Sequence, residues 1–209
     1  MSEIDYDRFL AEIYDYSPYL GKERREKDYA TQFYLANLPD KNKGKILELV
    51  TCTGLLTIPL ARAGYKIDSV DISPAVHEIV RGKMVNEPKK VINNITLKCC
   101  NVFDYQTETI YNAIVIPDSF LHAVADKQLQ EDLLKKCYKL LDDTGTLIVD
   151  IFTPWENIIS KGDVKQCSRF RTERGELYIV YTHHLINTKK QTHRFDFIHE
   201  NYKSKKRFY

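Results

Sequence analysis

The sequence predicts an α/β fold: a doubly wound, mostly parallel sheet with helices before it and an antiparallel meander after it. Three observations predict this. Between residues 44 and 154 short apolar runs alternate with amphipathic stretches, the pattern of strands joined by right-handed helical crossovers. The first forty residues place apolar side chains at helical spacing, and residues 160–202 alternate polar and apolar residues around two turn signals. A chain of 209 residues is the right size for a single domain with these three parts, 1–40, 44–154 and 160–202.

The elements follow in order. In "YDRFLAEIYDY" Tyr6, Phe9, Leu10, Ile13 and Tyr14 share one helical face, and Pro18 and Gly21 interrupt it. A second helix is predicted through "RREKDYATQFYLANL", stopping before Pro39. "KILELV" reads as a buried strand, and "GLLTIPLARAG" as a helix closed by Gly64. "YKIDSVDI" is a second strand. "SPAVHEIVRGKMV" opens a helix with Ser73 as its N-cap and Pro74 in the first turn. "ITLKCCNV" and "YNAIVIP" give strands three and four, and "KQLQEDLLKKCYKLL" an amphipathic helix. "GTLIVDIF" is a fifth strand after an Asp-Asp-Thr-Gly turn. The meander of about three strands is predicted from turns at "ERGE" and "NTKK".

Composition excludes several classes. Hydrophobic residues are 43% and charged residues 29%, which suits a water-soluble chain with a core. A net charge of +2 is too near neutral to point to nucleic acid or an anionic membrane. The basic run Lys203–Arg207 reads as a solvated tail. Five cysteines, at 52, 99, 100, 137 and 167, form no CxxC pair and no zinc-ligand pattern. Reduced thiols and a cytoplasmic location are expected, with no leader sequence or spanning segment. His183 and His184, adjacent in a predicted strand, face opposite ways, so no metal site is expected from them.

In an open parallel sheet, ligands gather at the C-terminal strand ends. Here those ends read "ELVTCTG", "SVDIS", "NVFD", "IPDSFLH" and "DIFTPW". An acid about twenty residues beyond a small-residue turn is the arrangement that holds a ribose diol, and Asp71 stands in that place relative to the turn at Val50–Gly54.

With these stretches in view, residues 46–152 resemble the core of a class I S-adenosylmethionine-dependent methyltransferase, a Rossmann-like fold. The family's first motif, commonly "ELGCGTG", is matched in frame by "ELVTCTG", and its second by "SVDISPAV". "DSFLHA" and the N-terminal "YDRFLAEIYDY" resemble glycine N-methyltransferase-like, small-molecule members. The resemblance implies S-adenosylmethionine as cofactor, S-adenosylhomocysteine as product, and a small-molecule N or O acceptor. It implies that Glu48, Val50, Thr51, Cys52, Thr53 and Gly54 hold the methionine end and Asp71 the ribose. Ile72, Val76, Asn101, Val102 and Phe103 would border the adenine, with Asn101 where an Asp is usual. Pro117 and Ser119 would complete the cofactor site, and Tyr14 would reach the cofactor carboxylate. His122 would be the general base near the acceptor, with Tyr14 as a further catalytic candidate and Arg169 and Tyr178 setting acceptor specificity.

Two departures shape the expectations. Val50 and Cys52 replace family glycines. A β-branched residue at φ > 0 is an outlier, so the loop is expected either to keep ordinary φ values or to hold the cofactor in a shifted pose. The altered loop leaves open a non-methylating use of the cofactor, such as intramolecular cyclisation, and a non-catalytic binding or regulatory protein. The chain also reaches "KKRFY" where the family's insert hands back to the sheet. Strand five is then an edge, to be covered by the 164–200 meander or by a second copy, and a homodimer is expected.

Overall fold

In the computed structural model the described residues are 3–20, 29–154 and 156–209. The first part of the predicted second helix, residues 24–28, lies outside them. The chain forms two compact units, residues 24–152 and residues 1–23 together with 153–209.

The first unit is the parallel sheet. Its strands are β1 (Lys45–Leu49), β2 (Lys66–Asp71), β3 (Ile95–Cys99), β4 (Tyr111–Ile116) and β5 (Leu141–Val149). They run in the order β3-β2-β1-β4-β5, every pair parallel. The helices are α2 (Tyr29–Asn37), α3 (Thr57–Arg62), α4 (Pro74–Met84), α5 (Lys89–Ile92), α6 (Phe120–Ala123) and α7 (Lys127–Leu140). The strand pleat sends neighbours into two cores. Ile46 joins Tyr34, Leu60 and Ile67 on one face. Leu47 joins Val70, Ile114 and Leu133 on the other. Each such fully buried aliphatic side chain contributes about 2 kcal/mol.

The capping signals are realised. Ser73 accepts from the Val76 N–H at 3.0 Å ahead of Pro74, a cap worth about 1 kcal/mol. Asp126 caps α7 by accepting from Gln128 and Leu129, and the helix buries Leu133 and Cys137, one turn apart. The Asp-Asp-Thr-Gly turn is absorbed as an irregularity in β5. Tyr111 pairs with Leu141 but Ala113 with Thr146, and Asp142 closes the turn by accepting from the Thr144 N–H.

The second unit is an antiparallel sheet of β6 (Asp163–Arg171), β7 (Leu177–Asn187), β8 (Thr192–Asn201) and β9 (Arg207–Phe208), in that order. The helix α8 (Glu156–Lys161) leads into it. The predicted N-terminal helix is α1 (Glu3–Ile13), which begins before Tyr6 and ends before Tyr14. Its Phe9 and Ile13 pack with Phe170, Tyr178, Val180 and Phe208. The meander therefore has four strands and forms a sheet of its own. Among the described residues β5 has β4 as its sole strand neighbour.

Candidate functional site

The strand order reverses at β1, whose neighbours are β2 on one side and β4 on the other. Loops leaving the C-terminal ends of β1 and β4 diverge to opposite faces there and leave a crevice. Backbone strain collects at the same point. Val50 (φ 76°) and Cys52 (φ 47°) follow β1, and Asp118 (φ 58°) and Ser119 (φ 55°) follow β4. Each left-handed non-glycine residue costs about 1–3 kcal/mol and persists only where its surroundings over-determine it.

The β1 loop is over-determined by six contacts. The N–H groups of Val50 and Thr51 both donate to the Val70 carbonyl, at 2.8 and 3.2 Å. The Cys52 N–H donates to Asp71 Oδ2 at 3.1 Å, and the Gly54 N–H returns to the Thr51 carbonyl. The Thr51 and Ser69 hydroxyls pair at 2.7 Å. Lys83 from α4 donates to the Thr53 carbonyl at 2.6 Å. Gly54 is required as such: its φ is +77°, and a Cβ there would lie 3.3 Å from both Val80 methyls. The expectation of ordinary φ values for this loop is not met. The loop keeps left-handed φ values at Val50 and Cys52, because tertiary contacts outweigh the local cost. The Val50 side chain packs against the core cluster that contains Leu47, Leu49 and Val102.

Glu48 is fully buried under the loop. Its Oε2 accepts from the hydroxyls of Thr57 and Ser69, both at 2.6 Å. The carboxylate thereby joins β1, β2 and α3. Thr51 and Thr53 are buried as well.

At the end of β2, Asp71 accepts from the Cys52 N–H with one oxygen and from the Ser73 N–H with the other, the latter at 2.9 Å. These two backbone donors fix the carboxylate at the end of the strand. Ile72 beside it is 65% exposed. After β3, Asn101 closes a turn by accepting from the Phe103 N–H at 3.0 Å. Lys136 from α7 donates to the carbonyls of Val102 and Phe103, and desolvation lowers its pKa. Val102 is buried, while Val76 and Phe103 are half-buried.

The ends of β4 and β5 are tied together. Asp150, just past β5, accepts from the N–H groups of Asp118 and Ser119 and from the Tyr34 hydroxyl. This carboxylate fixes the left-handed pair, leaving Pro117 buried and Ser119 half-buried at the mouth of β4. His122 follows on the short α6, exposed, with its Nδ1 accepting from the Phe152 N–H at 3.3 Å. Sequence reasoning passed over Asp150, Thr57, Ser69 and Tyr34. The one signal for Asp150 was that an acid terminates a strand at the carboxyl edge of the sheet.

Three predicted residues fall in the antiparallel unit. Tyr14 lies just beyond α1, half-buried. Tyr178 is a core residue, its ring 5.4 Å from that of Phe170, and burial pushes its phenol pKa up. Phe170 is directly opposite Tyr178, so the exposed Arg169 projects from the other face of the sheet. Arg169 and Tyr178 therefore cannot line one specificity site together. His183 pairs with Asp163 and His184 with His193, on opposite faces as expected.

The fold is that of the class I methyltransferase type. Residues 47–147 match the family model of a methyltransferase domain. The provisionally assigned methyltransferase YqeM of Bacillus subtilis (strain 168) is 24% identical over 151 residues, covering 70% of this chain. The chain spans 56% of that relative's length. Among solved structures, the CcbJ methyltransferase of Streptomyces caelestis superposes with a TM-score of 0.74 at 20% identity, covering all of this chain and 79% of its own. CalS10, an amino pentose methyltransferase of Micromonospora echinaspora solved with S-adenosylmethionine bound, gives 0.61 at 12% identity, covering 87% and 71%.

Proposed function

We propose that this protein binds S-adenosylmethionine at the carboxyl ends of β1, β2 and β3 and transfers its methyl group to a nitrogen or oxygen of a small molecule. The observation that carries the reading is the left-handed backbone at Val50 and Cys52. A chain under no demand for this loop shape would not keep two side chains in a region that disfavours them. S-adenosylmethionine supplies a methyl group on a sulfonium, already electrophilic.

The residues present fit that ligand. The loop from Val50 to Gly54 turns its backbone toward the methionine end, and Glu48 with Thr57 and Ser69 braces it from beneath. Asp71, fixed by the Cys52 and Ser73 N–H groups, is the acceptor for the ribose diol. The exposed Ile72, with Val76, Val102 and Phe103, offers apolar surface to the adenine, and Asn101 lies in the turn beside them. Pro117 and Ser119 border the acceptor side, with Asp150 fixing the turn. Transfer from a sulfonium needs chiefly in-line positioning of the nucleophile. The small-molecule acceptor is supported by the "DSFLHA" stretch and by the printed substrate of CalS10, an amino pentose.

The test is a thermal or calorimetric titration with S-adenosylmethionine and S-adenosylhomocysteine. At a hundredfold excess over the dissociation constant, binding stabilises the fold by about 2.7 kcal/mol. Absence of any shift at millimolar ligand overturns the proposal. Appearance of methylthioadenosine from cofactor alone overturns methyl transfer while leaving cofactor binding intact.

A further inference from the structure

The ends of β4 and β5 contain a second piece of chemistry, in the orientation of one imidazole. His122 sits on α6, three residues past Ser119, and the whole turn is pinned by Asp150 through the N–H groups of Asp118 and Ser119. The His122 N–H donates to the Ser119 carbonyl at 2.9 Å, which fixes the backbone that carries the ring. From the β5 side, the Phe152 N–H donates to His122 Nδ1 at 3.3 Å. A backbone N–H is a donor under all conditions, so the nitrogen facing it must be the bare, accepting one. A neutral imidazole carries a single ring proton, and the bond made at one nitrogen decides the tautomer at the other. The proton is therefore on Nε2.

We propose that His122 serves the acceptor molecule as a hydrogen-bond donor through Nε2–H, a positioning role, and is not the general base. The lone pair that a base would use lies on Nδ1 and is held by Phe152. To act as a base, His122 would have to break that bond or turn its ring over. A donor at this point suits an acceptor molecule bearing an oxygen, such as a hydroxyl or carboxylate, beside the atom to be methylated. It also suits a neutral amine as that atom, since such a nucleophile needs no proton removed before it attacks. This inference deepens the methyltransferase reading and rests on it for the identity of the bound molecule. The tautomer rests on the β4–β5 geometry alone.

The experiment is long-range proton–nitrogen correlation NMR on the full chain labelled with 15N-histidine, at alkaline pH and with S-adenosylhomocysteine as the probe ligand. His122→Gln assigns the signal by its loss. The expected spectrum shows His122 protonated at Nε2 and bare at Nδ1. Protonation at Nδ1, or fast exchange between both tautomers, overturns the proposal, because Nε2 would then carry a free lone pair. The tautomer is read whether or not S-adenosylhomocysteine binds. A failed cofactor reading, seen as no thermal shift, is thus distinguished from a failed role for His122.

Discussion

Among the described residues six non-glycine residues have positive φ, and they fall into two groups that behave differently. Gln191 and Lys205 lie in the hairpin turns of the antiparallel sheet; both are unbranched at Cβ and exposed. Their turns are closed locally. Lys190 donates to the Asn187 side chain, and Lys203 and Ser204 donate to that of Asn201. Val50, Cys52, Asp118 and Ser119 lie at the switch point of the parallel sheet, and distant residues hold them: Val70, Asp71 and Lys83 for one turn, Asp150 for the other. A hairpin needs left-handed residues to reverse the chain. A parallel sheet does not need them where a strand runs out toward a helix, so strain held there by long-range bonds marks a site.

The largest effect that would break this comparison is at Asp71, the residue that links strained loop and ligand. On the proposed function, replacing Asp71 with Ala removes the acceptor for the ribose and the acceptor that holds the Cys52 and Ser73 N–H groups. Charge-assisted bonds of this kind are worth about 1.5–3 kcal/mol, so affinity for S-adenosylhomocysteine should fall by about a hundredfold in calorimetry. An affinity within threefold of the parent chain would mean that the turn at Val50–Gly54 is not a ligand cradle.

The antiparallel sheet offers a contrast in buried polar groups. His199 is fully buried between the rings of Phe9, Phe170 and Phe197, and neither ring nitrogen has a hydrogen-bond partner among the described residues. Desolvation pushes its pKa down from 6.5 to about 4. Between those values the unfolded chain binds a proton that the folded chain refuses. Stability therefore rises with pH across the window and is lost as pH falls from about 6.5 toward 4. For this group alone the loss approaches about 3 kcal/mol. Denaturant titrations at a series of pH values should show it, and His199→Leu should flatten that part of the slope. An unchanged slope would show that the imidazole is solvated. His77, His184 and His193 also have lowered values and act in the same direction.

Most of the architecture was legible because it depends on local pattern. Apolar runs such as "YNAIVI" can only be buried strands, and Ser73 and Asp126 announce their helices. The short helices α5, α6 and α8 and the two-residue β9 were not legible, since four to six residues carry too little periodicity. The loop's place, after β1 at the switch point of the sheet, was legible despite the missing glycines. Its conformation was not, because the bonds that hold it come from Val70, Asp71 and Lys83, far along the chain. Asp150 was missed for the same reason: its partners are 31 and 32 residues away, across a strand pair. Sequence pattern reports what a residue prefers, and these positions are occupied against preference.

The smallest effect sharpens the comparison most, because it separates strain from packing within one loop. Cys52 is half-exposed, so Cys52→Gly relieves a left-handed side chain and gives up little buried surface. It should stabilise the ligand-free fold by about 0.5–1 kcal/mol. Val50→Gly relieves a larger strain, since the residue is β-branched, but it also empties the place where Val50 packs against Leu47, Leu49 and Val102. Lost burial of about 1–2 kcal/mol offsets the relief, leaving a change of less than about 1 kcal/mol. Gln191→Gly, exposed and unbranched, should move stability by only a few tenths of a kcal/mol. Urea denaturation of the three variants gives the order directly. If Cys52→Gly destabilises by more than 1 kcal/mol, the thiol is making a contact that the left-handed turn exists to serve, and the loop is shaped by Cys52 as well as by the ligand.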